Sequence, residues 1–189
     1  MRPSGMARVP YPDLAALSGT TQEYFAKLGD SPLNLFRMLA GGEGLLRAFN
    51  RLGGHLLYKS SLDPKLRELA IIRVGLLSGA TYEVFQHDRV GAEVGLTADQ
   101  IEGLREGAEH PAFGELEAAV LRFTDDVVAN VRASDATFEP LRAALSLQEL
   151  QELTMTVGFY MMVSRFLETF GIETETGPAT GLGPASPGR

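Results

Sequence analysis

The stretch Asp63-Pro64-Lys65-Leu66-Arg67-Glu68-Leu69, which runs on through apolar residues to Ser78-Gly79, and its continuation Ala80-Thr81-Tyr82-Glu83-Val84-Phe85-Gln86-His87 decide the fold. Asp before Pro is a helix opening: the carboxylate accepts from free amides of the first turn, and proline has no amide there to leave unpaired. Glycine then closes the segment, because it enters the left-handed conformation that ends a helix without a steric cost. The pattern predicts a helix over Lys65–Ser78, and a second from Ala80 or Thr81 to Val94, ended by Gly95. A turn as tight as Gly79 sets two such helices antiparallel.

The same grammar extends in both directions. Thr20–Leu28 ends at Gly29, and Ser31-Pro32 opens a helix carrying Leu33, Phe36 and Leu39 that Gly41 and Gly42 stop. Glu43–Tyr58 has Leu45, Leu46, Phe49, Leu52, Leu56 and Leu57 at helical spacing, with Gly53 and Gly54 weakening its middle by about 1 kcal/mol each relative to alanine. Downstream, Thr97–Arg105 opens on capping-box spacing, and Phe113–Asn130, Ser134–Ala144 and Ser146–Phe170 follow. No segment alternates as a strand does, so the fold class is all-α. Residues 1–19, with three prolines in the first thirteen, read as an N-terminal extension, 20–173 as the helical domain, and 174–189, rich in Gly, Pro, Ala, Ser and Thr, as a disordered tail.

At 189 residues and 20.4 kDa the chain has room for one domain or two small packed halves. Seventeen basic against 24 acidic residues give a net charge of −7 with no basic block, which argues against nucleic acid and anionic membranes as partners. The chain contains no cysteine, so disulfides, thiolate metal sites and thiol nucleophiles are chemically excluded. No apolar run reaches the roughly 18 residues of a membrane span and no signal-peptide pattern opens the chain; the expected location is the cytoplasm. Walker, dinucleotide-binding and nucleophile-elbow motifs are also missing.

Polar residues gather in the deciding stretch. At roughly 100° per residue Glu68 shares a face with Ile71, Ile72, Gly75 and Gly79, while Arg67 and Arg73 point elsewhere. On the next helix Glu83 and His87 lie one turn apart on a stripe continued by Val90, Gly91 and Val94. Antiparallel packing brings the two carboxylates and the imidazole together. Three readings of such a cluster stand side by side: an acid/base site, a hydrogen-bonded structural pair at the edge of the core, or, with the least support, a metal site. His55 reads as a packed or boundary residue, His110 as an exposed loop residue, and Arg165 as either a salt-bridge partner or an anion ligand. A weak repeat sets Leu66-Arg67-Glu68-Leu69 against Leu150-Gln151-Glu152-Leu153, 84 residues on, with Gly171 matching His87, so the first half carries any chemistry.

The segments 62–69, Tyr82-Glu83-Val84-Phe85-Gln86-His87 and Gly95-Leu96-Thr97 resemble the core of the carboxymuconolactone decarboxylase family, which includes the alkylhydroperoxidase D (AhpD) proteins. The resemblance is strongest over 62–105 and extends more weakly over 20–173, where Tyr160–Arg165 is similar to the family's second-half helix. It implies an AhpD-like helical bundle of related hairpins that assembles into homotrimers or homohexamers. The peroxidase branch relays protons from a glutamate and a histidine, here matched by Glu68 and His87, to a Cys-x-x-Cys pair whose positions are Ala80 and Glu83 in this chain; thiol peroxidase activity is therefore not expected. The decarboxylase branch resembles Tyr82-Glu83 and His87, with Val84 where that branch carries tryptophan. It implies a cofactor-independent, metal-free lyase on a small carboxylated lactone or related acid, with His87 donating or shuttling the proton, Glu83 and Glu68 orienting it, and Tyr82 donating to the oxyanion. Arg165, Tyr160 and Val84 are the implied substrate-binding positions. The alternatives are isomerisation, dehydration or lactone opening of another metabolite, or a non-catalytic oligomeric binding or scaffold protein.

Overall fold

A computed structural model describes residues 7–29 and 31–177. Among these there are nine α-helices and no strand: α1 (Gly19–Leu28), α2 (Asn34–Leu39), α3 (Glu43–Tyr58), α4 (Pro64–Ser78), α5 (Thr81–Glu93), α6 (Ala98–Gly103), α7 (Glu115–Asn130), α8 (Asp135–Ala144) and α9 (Leu147–Phe170). The all-α expectation holds. Asp63 accepts from the Lys65 and Leu66 amides, and Pro64 occupies the first turn, as its sequence position requires. At the other end Gly79 takes φ 66°, so that its own amide reaches the Leu76 carbonyl and the Ala80 amide reaches that of Gly75. These paired bonds satisfy carbonyls the helix leaves open and turn the chain directly into α5.

Backbone contacts divide the helices between two compact units. One is Lys59–Arg165; the other takes the described residues up to Tyr58 together with those from Phe166 on. Within the first, α4 packs against α5 and α7, α5 against α6, and α7 against α8. Leu69, Ala70, Ile71, Ile72 and Val74 of α4 have no exposure, as a helix surrounded by others must. Arg73 leaves this core sideways: it grips Asp125 of α7 through two hydrogen bonds of 2.6 and 2.9 Å and donates to the Leu104 carbonyl at 2.7 Å. The expected capping box of α6 forms between Thr97 and Gln100.

In the second unit the expected start of α2 at Ser31-Pro32 is corrected. The helix begins at Asn34, whose amide donates to the Glu175 carboxylate at 2.6 Å while its side chain donates to the Glu173 carbonyl. The cap comes from a residue 141 positions away, which no local reading supplies. Tyr11 donates to the Glu173 carboxylate, and the Arg37 guanidinium lies 4.6 Å over the Tyr11 ring. Residues 1–6 of the expected N-terminal extension and 178–189 of the expected tail fall outside the described residues.

Val131 closes α7 at φ 68°, a left-handed conformation that a β-branched side chain adopts only under strain, and it is 89% exposed with no packing to offset the cost. Val131→Gly is expected to raise the unfolding free energy by about 1 kcal/mol in urea titration; unchanged or lower stability would show that the strain is absent.

Candidate active site

Two glycines let α4 and α5 close on each other. A Cβ placed on Gly75 would stand 3.0 Å from Val84 Cγ2, and one on Gly91 would stand 3.1 Å from Ile72 Cδ1. At that separation the buried face of α5, made of Tyr82, Glu83, Gln86, His87 and Gly91, meets the Glu68 side of α4. His87 Nδ1 lies 2.6 Å from Glu68 Oε2, and His87 Nε2 lies 3.1 Å from Glu83 Oε1. Glu68, Glu83 and His87 are 0, 2 and 1% exposed. The structure thus brings together the three residues that the sequence singled out.

Both ring nitrogens face carboxylate oxygens, and a carboxylate only accepts hydrogen bonds. A neutral imidazole with two ionised partners would leave one nitrogen lone pair against an oxygen. The geometry is satisfied when the ring carries both protons, or when one carboxyl carries the missing one. Burial disfavours the imidazolium, but the charges and hydrogen bonds of Glu68 and then Glu83 outweigh it and raise the His87 pKa to about 10. The cluster is therefore a chain of two carboxyls and one imidazole holding a proton in the interior. Its lone pairs are turned onto one another instead of toward a common point, and among the described residues no group of three or more His, Cys, Asp or Glu side chains is arranged to hold a metal ion.

Arg67 corrects the helical-face reading. It does not point away from the site: at 6% exposure its Nε donates to Glu68 Oε1 at 3.0 Å, so both oxygens of Glu68 are engaged. Adjacent residues on a helix diverge at Cβ, but an arginine is long enough to fold back along the helix, and the flanking Glu68 was the signal that could have found it.

Tyr160 of α9 sets its ring edge-on to His87, centroids 5.0 Å apart at 85°. Tyr82 is buried on the α5 face, and half-buried Val84 fills the space above Gly75. Arg165 is not brought to the cluster: it is exposed and donates to the Met161 carbonyl one turn back. Of the two readings of His55, packed or boundary, packing does not hold, since it is exposed; His110 is half-buried because its ring occupies the space that Gly103 leaves without a Cβ. The repeat partner of Glu68 has other work. Glu152, buried, accepts from Ser60 Oγ and from the Ser61 and Leu62 amides. Although burial raises its pKa, these bonds and one from Gln148 hold it down at about 2.

Solved structures share this fold. A crystal structure of an "alkylhydroperoxidase AhpD core", an uncharacterized peroxidase-related protein from Ralstonia eutropha JMP134, is 22% identical over 93% of this chain and 95% of its own, with a TM-score of 0.78. An uncharacterized peroxidase-related protein from Silicibacter sp. TM1040 is 19% identical over 93% and 94%, also at 0.78. The debrominase Bmp8, in complex with 2,3,4-tribromopyrrole, is 16% identical over 91% and 94%, at 0.71. No curated protein matches the chain. Fold and site together define an AhpD-like helical protein whose histidine is flanked by two carboxyls and no thiol. Residues 43–126 match the model of the carboxymuconolactone decarboxylase family, and the chain has no cysteine there or anywhere else.

Because the His87 pKa is higher in the folded chain than the ordinary 6.5, its ion pairs contribute in full below about pH 6.5 and are lost as the pH rises through about 10. Wild-type stability is expected to fall over that window with a slope of up to about 1.4 kcal/mol per pH unit relative to His87→Gln. Parallel pH profiles for the two proteins in chemical denaturation would refute the raised pKa.

Proposed function

We propose that the chain is a cofactor-independent, decarboxylase-like lyase acting on a small carboxylated lactone or related acid, with Glu68, His87 and Glu83 as its proton relay. The observation that carries this reading is a buried imidazole with one ring nitrogen 2.6 Å from a Glu68 oxygen and the other 3.1 Å from a Glu83 oxygen. Decarboxylation breaks the bond from carbon to the carboxylate, carbon dioxide departs, and the electron pair spreads onto the lactone carbonyl oxygen. The resulting enolate carbon needs one proton. His87 supplies it through Glu83, which stands at one of the two positions matching the family's cysteine pair, and water reloads the relay after product leaves. The electron sink is the substrate's own carbonyl, so the chemistry calls on no organic cofactor or metal.

Tyr82 is proposed as donor to the developing oxyanion, and Tyr160 and Val84 as walls of the pocket. Arg165 has no part in this scheme, since its guanidinium is exposed and engaged with its own helix. The debrominase of the same fold takes a small ring compound, a ligand of the size proposed here. Assembly into a homotrimer or homohexamer belongs to the same proposal and is supported by exposed Leu45, Phe85, Leu147, Met155 and Met162. One observation favours a purely structural cluster: both nitrogens of His87 are already paired in a site almost closed to solvent.

Carboxymuconolactone is the first substrate to test, following carbon dioxide release and lactone absorbance together. Wild type is expected to turn it over, with His87→Ala and Glu83→Gln slower by about 100-fold or more while folded. Equal turnover in all three would sink the relay. Variants that differ only in melting temperature, beside a wild type inactive on this lactone and on other small lactone acids, would leave the structural reading. Light scattering at three or six times 20.4 kDa would support the assembly, and a monomer would overturn it.

A further inference from the structure

We propose that Arg67 is a positioning residue that keeps the relay's mobile proton on the His87 ring, by holding the oxygen of Glu68 that faces away from the histidine. This inference rests on the proton-relay reading above and not on any particular substrate.

Glu68 is held at both ends. Its Oε2 lies 2.6 Å from His87 Nδ1, and its Oε1 receives Arg67 Nε at 3.0 Å. In a contact as short as the first, one proton lies between two basic atoms, and the local field decides which of them carries it. A guanidinium is charged at every accessible pH and is fixed in orientation by its planar fork. Placed against the outer oxygen of Glu68, it stabilises the ionised carboxylate, lowers its affinity for a proton and leaves the proton on the imidazole nitrogen. His87 can then pass a proton only at its other nitrogen, toward Glu83.

The charge count agrees. The groups against His87 are Glu68 from α4, with Arg67 behind it, Tyr160 from α9, and Glu83 and the neighbouring Asp88 from its own helix. Within the buried contact, two carboxylates balance one guanidinium and one imidazolium. Without Arg67 the same contact carries one negative charge in excess, and Glu68, which loses the cation in direct contact with it, gains more proton affinity than the ring does. The other arginine of α4 shows what a structural role looks like. Arg73 joins α4 to Asp125 and to a backbone carbonyl, and Asp125 is itself 36% exposed, whereas Arg67 spends its hydrogen bond on a carboxylate with no exposure at all.

The test reads the His87 ring directly, by nitrogen-15 NMR of protein labelled at histidine. The chain has three histidines, His55, His87 and His110, and His87→Gln assigns the signal. At pH 7 the wild type is expected to show both His87 nitrogens protonated. Arg67→Met is expected to shift Nδ1 toward the value of a nitrogen that shares or has lost its proton, and Arg67→Lys, which restores a cation, to return it toward wild type. A merely structural arginine would change the melting temperature in both variants and leave the nitrogen shifts where they were. A folded Arg67→Met with wild-type His87 shifts would overturn the proposal. So would a wild type whose Nδ1 is unprotonated at pH 7, a result that does not depend on how any variant folds. No substrate enters the measurement, so loss of the lactone reading and loss of this one are separate results. Where wild type turns over a substrate, Arg67→Met is expected to lower kcat about tenfold with KM unchanged.

Discussion

An imidazole enclosed by two carboxylates is a demanding thing to bury. Each ring nitrogen of His87 must present a proton to its partner, or a carboxyl must take one up, and either way the interior keeps a charge distribution that water would otherwise stabilise. Such a group persists only where every partner is placed to within a few tenths of an ångström. The rest of the first compact unit reads as the means of that placement: helix ends fixed by Asp63 and Gly79, helix faces brought close at Gly75 and Gly91, and a guanidinium against the far side of Glu68.

The same helix carries the core and the polar cluster. Leu69, Ile71, Ile72 and Val74 make α4 apolar around most of its circumference, and burying them supplies the favourable free energy against which the polar cluster is held. Glu68 lies in the first half of that helix, where the packing of α5 closes over it. Removing one partner from such a cluster costs more than the bond itself, because the groups left behind remain buried and unpaired. Conservative exchanges that keep shape, glutamine for glutamate or lysine for arginine, therefore report on proton position more cleanly than truncations do.

Glu68 and Glu152 show how one motif can yield two outcomes. Both are buried, yet Glu68 faces a base and an arginine while Glu152 collects a hydroxyl and two backbone amides. The first arrangement has a proton to exchange; the second has only donors that never let go of theirs, so it fastens the chain ahead of α4. Likeness to AhpD-like structures and to a debrominase extends over the helices and concerns the fold. The chain has no cysteine, and Glu83 places a carboxyl against the second nitrogen of His87.

Sequence alone determined what depends on neighbours in the chain. The helices, their glycine and aspartate ends, the all-α class and the family resemblance follow from 3.6-residue periodicity, capping chemistry and a short motif, and the grouping of Glu68, Glu83 and His87 follows from a tight turn between two such helices. Tertiary structure decided what depends on residues far apart or on the path of a long side chain. The start of α2 is set by Glu175, the burial of His110 by the bare backbone of Gly103, and the exposure of Arg165 by the way α9 is turned. Arg67 belongs to this second class although its partner is the next residue, because a helical wheel fixes only the direction of Cβ, and an arginine's guanidinium goes where burial and charge together place it.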